Sequence, residues 1–111
     1  MNYNNRKFKP ISVSDNGEVS SDMVFHYKQE QDVLTCSYEG GSIIKGQLIG
    51  IVSKEGDIQV SYHQINKDGL IMTGKCDSKP EIMKNGKIRL IESWQWTSGD
   101  LSVGKSVLEE L

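Results

Sequence analysis

Glu92, Trp94 and Trp96 are the residues of this chain whose types and spacing most invite chemistry. They lie in Lys87–Trp96, where the even positions read Ile88, Leu90, Glu92, Trp94, Trp96. Period-two alternation is the signature of a strand with one face turned to a core. A carboxylate on such a face must be hydrogen-bonded, paired or shifted in pKa, because isolated burial is costly. Glu92 therefore reads in two ways. It is a polar anchor in an apolar cavity walled by the tryptophans, or a structural Glu satisfied by Tyr, Arg or backbone. Two indoles side by side in water would form a sticky patch, so both are expected to face inward and be mostly buried.

A second run, Ile58–Gln64, alternates in the same way and puts Ile58, Val60, Tyr62 and Gln64 on one face. Tyr62 and Gln64 are expected to point into the same space as Glu92, with Phe25, Tyr27 and Tyr38 as further candidates. The candidate ligand-binding set is Glu92, Trp94, Trp96, Tyr62, Gln64 and Tyr27.

Other chemistry finds less support. Gly99-Asp100-Leu101-Ser102-Val103-Gly104-Lys105-Ser106 matches the phosphate-binding pattern GxxxxGK[ST]. That loop works by opening a helix inside a parallel α/β sheet. Only Val107–Leu111 follow it, too few for such a helix, so the match reads as a turn before the last element. His26 and His63 are the only histidines. His63 alternates with Ser61 and faces outward, and no third ligand stands at metal-binding spacing. No second carboxylate or nucleophile accompanies Glu92, which points to binding rather than catalysis. No cofactor is implied. Cys36 and Cys76 form no CxxC pair and read as free thiols. Lys45, Lys75, Lys87 and Arg89 read as solvated outer-face residues that discourage edge pairing.

These side chains need a scaffold of strands. Asn16-Gly17, Asp68-Gly69 and Asn85-Gly86 are hairpin-turn signals, since such turns need positive φ. Glu39-Gly40-Gly41 and Lys54–Asp57 are further turn clusters. Strands are expected at about 6–14, 19–29, 33–38, 42–53, 58–66, 70–77, 81–84 and 87–97. Pro80 is expected at a bulge or edge between 70–77 and 81–84. Leu101–Leu111 suits one turn of helix or a closing strand. Gly41–Gly46 faintly repeats Gly69–Gly74, and the strand glycines Gly46, Gly50 and Gly74 suit a sharply bent sheet. Residues 1–111 are thus expected to form one all-β domain, an antiparallel up-and-down meander closed or nearly closed into a small barrel. Closure removes exposed strand edges.

Bulk properties agree. With 111 residues, one core is the default. A hydrophobic share of 36% against 25% charged suits a thin β-layer with a wet outer face. The net charge of −2 argues against nucleic acid or an anionic membrane as partner. No apolar run is long enough to span a bilayer as a helix. Met1–Arg6 lacks the apolar core of a signal peptide, so a cytoplasmic location is expected.

The stretch Tyr62–Asn66, then Gly69–Gly74, then Lys87–Asp100 resembles a family of small bacterial β-barrel proteins that often carry the label N-acetylglutamate synthase. The likeness spans nearly the whole chain, and Glu92-x-Trp94-x-Trp96-x-x-Gly99-Asp100 is its most specific part. The label implies an acetyltransferase, whose pyrophosphate loop should follow a strand and open a helix; the sequence holds no such loop. In outline the meander is also similar to the calycin group of lipocalin-like, fatty-acid-binding and avidin-like barrels, a likeness of architecture that shares no motif. Non-catalytic binding of a small, partly apolar ligand is the leading expectation. A structural or interaction module with a filled barrel and an outer apolar patch at Ile43, Ile49 and Ile51 is the alternative, and an acetyltransferase comes third.

Overall fold

The computed structural model describes residues 1–111 and contains nine strands and no helix. They are β1 (Lys7–Val13), β2 (Phe25–His26), β3 (Lys28–Glu30), β4 (Val33–Gly40), β5 (Ile43–Val52), β6 (Ile58–Asn66), β7 (Ile71–Ile82), β8 (Ile88–Trp96) and β9 (Val103–Glu110). All neighbours pair antiparallel, in the order β2-β1-β9-β8-β7-β6-β5-β4-β3. The two ends of that list are one stretch of chain interrupted only by Tyr27. Its first half pairs β1 and its second half pairs β4, so the meander bends round into a nearly closed barrel. Taking β2 and β3 as one stave, the wall has eight. An eight-stave barrel has an interior that side chains can just fill, or that can hold one small ligand.

The alternation read from sequence holds. Ile58, Gln64, Ile88, Leu90, Trp94 and Trp96 are buried, while His63, Ser61, Lys75 and Lys45 are exposed. Gly69 and Gly86 take positive φ in their turns. Within 101–111 the closing strand forms: β9 (Val103–Glu110) closes the ring against β1 and β8.

Three expectations need correction. A strand over 19–29 forms only at Phe25–Glu30, because Met23 and the residues around it turn to cover one end of the barrel. Residues 70–77 and 81–84 are not two strands, since β7 runs unbroken to Ile82. Pro80 sits in it with no bulge, opposite Leu90. The strand tolerates proline there because β6 begins at Ile58, opposite Ser78, so Pro80 lies beyond that neighbour's end. Ile43 is buried rather than part of an outer patch; Val33, Ile49 and Ile51 are exposed on adjacent strands instead.

The interior divides into two halves. In one, Phe8, Leu34, Ile58, Ile88, Leu90 and Leu108 pack together, and Tyr3 plugs the end by donating its hydroxyl proton to the Gly56 carbonyl. Phe8 packs at tilted angles against Tyr3 and Tyr27, its centroid 5.0 Å from that of Tyr27, and Tyr3 meets Tyr27 edge-on. Towards the other end lie Tyr38, Tyr62, Cys76, Trp94 and Trp96.

Candidate functional site

Glycines shape the second half. Along successive antiparallel pairs, Tyr38 stands opposite Gly46, Tyr62 opposite Gly74 and Trp94 opposite Gly104. A Cβ at Gly46 would lie 2.3 Å from the Tyr38 ring, at Gly74 2.3 Å from the Tyr62 ring, and at Gly104 2.2 Å from the Trp94 ring. Each ring therefore lies against bare backbone, a cross-strand pairing in which the aromatic covers the glycine. The faint repeat of Gly41–Gly46 and Gly69–Gly74 has this cause: in both, the second glycine clears space for a tyrosine one strand away. Rings held against the wall leave the axis of the barrel open.

What remains is a cavity of about 70 Å³. All six candidate residues line it: Glu92, Trp94, Trp96, Tyr62, Gln64 and Tyr27. Trp94 and Trp96 are 9% and 4% exposed, with centroids 5.8 Å apart and planes at 64°. Tyr62 meets Trp96 edge-on, 5.8 Å away. Phe25 and Tyr38, also at the cavity, pack 4.9 Å apart.

Glu92 is the polar floor. Its Oε2 accepts from Ser78 Oγ and its Oε1 from Ser106 Oγ, both at 2.8 Å. Both serines sit directly opposite it, Ser78 on β7 and Ser106 on β9. No cation lies within ion-pair reach. Burial pushes the Glu92 carboxyl above its ordinary value, opposed in part by hydrogen bonds from Ser78, Ser106 and Cys76. Burial likewise raises the Tyr27 and Tyr62 hydroxyls and the Cys76 thiol, with the Glu92 charge adding to each. Cys36 and Cys76 are free thiols, and burial carries Cys36 to about 12.

The mouth is closed by a strap, residues 14–24. Trp96 Nε1 donates to the Asn16 carbonyl at 3.0 Å, and Asn16 Nδ2 reaches Ser102 Oγ and the Val103 carbonyl at 2.9 Å. On the far side, Ser42 Oγ donates to the Glu18 carbonyl at 3.1 Å. Between them the Glu18 carboxylate accepts from Gln64 Nε2 at 2.8 Å and Asn66 Nδ2 at 2.9 Å. Gln64 Oε1 accepts from the Tyr38 hydroxyl at 2.8 Å, so Gln64 ties strap to wall.

The six residues singled out from the sequence meet at one cavity, among its seventeen lining residues, and the groups that support them were missed. Glu18 sits in a segment with no periodicity to mark it. Ser78 and Ser106 become visible only once the register of β7–β8–β9 is known. The GxxxxGK[ST] match falls on the last turn and β9, with no helix after it. Its Gly104 makes room for Trp94, its Lys105 points outward, and its Ser106 holds Glu92.

Fold and site together define a calycin-type antiparallel barrel, packed at one end and hollow at the other. The chain belongs to the avidin-like family: the sequence model described as Avidin-like protein matches residues 1–111. No curated protein and no solved structure matches the chain.

Proposed function

We propose that this avidin-like barrel binds a small, partly apolar molecule in its hollow half and catalyses no reaction. The observation that supports this most is Glu92, a carboxyl held by two serines at a cavity whose aromatic walls lie back against glycines. With Tyr38, Tyr62 and Trp94 lying against glycines, the lining stops short of filling the space beside Glu92. Trp94 and Trp96 line the cavity and give the reporter. Titration with a panel of small hydrophobic and acidic metabolites, biotin among them, is expected to change tryptophan emission and raise the melting temperature for at least one member. A panel that moves neither quantity overturns the proposal.

The exposed Val33, Ile49 and Ile51 favour a second reading, an interaction module that works through its outer wall. An acetyltransferase has no support in an all-β chain without a pyrophosphate loop. Tight binding of acetyl-CoA in isothermal titration would restore it. We also assign the protein to the cytoplasm, supported by its two free thiols; recovery from a secreted or periplasmic fraction would contradict this.

A further inference from the structure

The geometry points to a compact organic cation with N–H donors, an alkylammonium, as the ligand of the hollow half, its nitrogen against Glu92 and its carbons among the aromatic rings. This rests on the reading of that half as a binding site.

The charge of the lining carries the argument first. Two carboxylates, Glu18 and Glu92, line the cavity, and no Lys, Arg or His does. An anion entering there finds no cation to pair with, whereas a cation finds carboxyl oxygens that no other charge occupies. The hydrogen-bond inventory carries it second. The two serines take one lone pair on each Glu92 oxygen and the Cys76 thiol takes another, which leaves the carboxylate one lone pair to accept from a ligand N–H. The rings carry it third. Tyr27, Tyr38, Tyr62, Trp94 and Trp96 surround the space, and aromatic faces attract a cation once water is excluded. Size limits the choice: about 70 Å³ takes roughly five water-sized groups.

The raised Glu92 carboxyl fits the same account, because its charge is costly without a partner. The titratable groups packed around it are Cys76, Tyr27, Tyr38 and Tyr62, with Glu18 at the mouth; none is basic. Cation affinity should therefore rise with pH as Glu92 gives up its proton, and no other group in the cavity offers to replace the ligand's charge.

The test compares three ligands of nearly one size: n-propylammonium, n-propanol and propionate. Each is titrated into the full chain while the indole N–H signals of Trp94 and Trp96 are followed by NMR. The expected result is saturable binding of n-propylammonium, weak in absolute terms given so few atoms. It should be at least tenfold tighter than n-propanol, with no response to propionate. Glu92→Gln should remove that preference; the wild-type comparison stands by itself should the variant fold poorly. Binding of n-propanol or propionate as tight as that of n-propylammonium overturns the cation assignment and leaves the binding function standing. So does an undiminished preference in folded Glu92→Gln. If none of the three binds, the cation assignment falls; if the wider metabolite panel is silent as well, the binding function falls with it.

Discussion

The two halves of this barrel are built from the same strands and differ in what stands opposite each large residue. In the packed half, Leu90 faces Leu108 across β8–β9, and Phe8 lies against Tyr27 and Tyr3. In the hollow half, Tyr38, Tyr62 and Trp94 each face a glycine. Side chain against side chain fills the axis; ring against bare backbone clears it. The same contrast separates polar from apolar. The packed half spends its burial on hydrocarbon and supplies stability. The hollow half buries Gln64 and two serines, half-buries Glu92, and must satisfy each with a partner. A fold of this size can carry such a site because its other half is conventional.

The largest expected effect lies in the packed half. Phe8→Ala should cost about 3–5 kcal/mol in denaturant unfolding, since the ring is fully enclosed and its neighbours cannot close the gap. Trp94→Ala should cost clearly less than this range although the side chain is larger, because one side of the indole already borders the cavity. Equal losses would mean the two halves are packed alike.

Gly104→Val sharpens the comparison from the other side. The new side chain would occupy the place of the Trp94 ring and force the indole toward the axis. A destabilisation of about 1–3 kcal/mol is expected from overpacking. Ligand response should vanish while Phe8 and its neighbours keep their NMR shifts.

Glu92→Gln should change the pH profile of stability. Burial raises the folded carboxyl above its ordinary value of 4.5, so the folded chain holds this proton more tightly than the unfolded chain. Stability is then highest below that value and falls as pH rises through the window up to the folded pKa. Melting temperatures measured against pH should show this fall in the wild type and a shallower one in the variant. Parallel profiles would show that Glu92 is not buried in a low-dielectric site. The smallest effect belongs to the strap. Glu18→Gln removes one of two acceptor oxygens, leaves the Gln64 or Asn66 amide short of a partner, and should cost about 0.5–1.5 kcal/mol. Amide exchange should quicken across residues 14–24 and stay unchanged in β7 and β8.

Much of this was legible from alternation. Ile88 to Trp96 and Ile58 to Gln64 announce their inward faces residue by residue, because a strand offers only two faces and one is wet. The supports of Glu92 were not legible: Ser78 and Ser106 have no local signal and acquire their role from register, a property of strand pairs. The strap was missed for a different reason. Ser20-Ser21-Asp22 carries turn chemistry inside the span read as strand, and the Asn16, Glu18 and Ser42 hydrogen bonds hold the segment across the mouth. The glycines were read as bends; their cross-strand partners reveal them as seats for aromatic rings.

The central claim, a hollow half that holds a small molecule at Glu92, is tested most directly by a crystal structure grown with n-propylammonium. The account predicts ordered ligand density between Trp94, Tyr62 and Glu92, with the nitrogen in hydrogen-bond reach of the carboxylate and the packed half unchanged. A structure in which Tyr62 and Trp94 have collapsed across the axis, leaving no space beside Glu92, would contradict it.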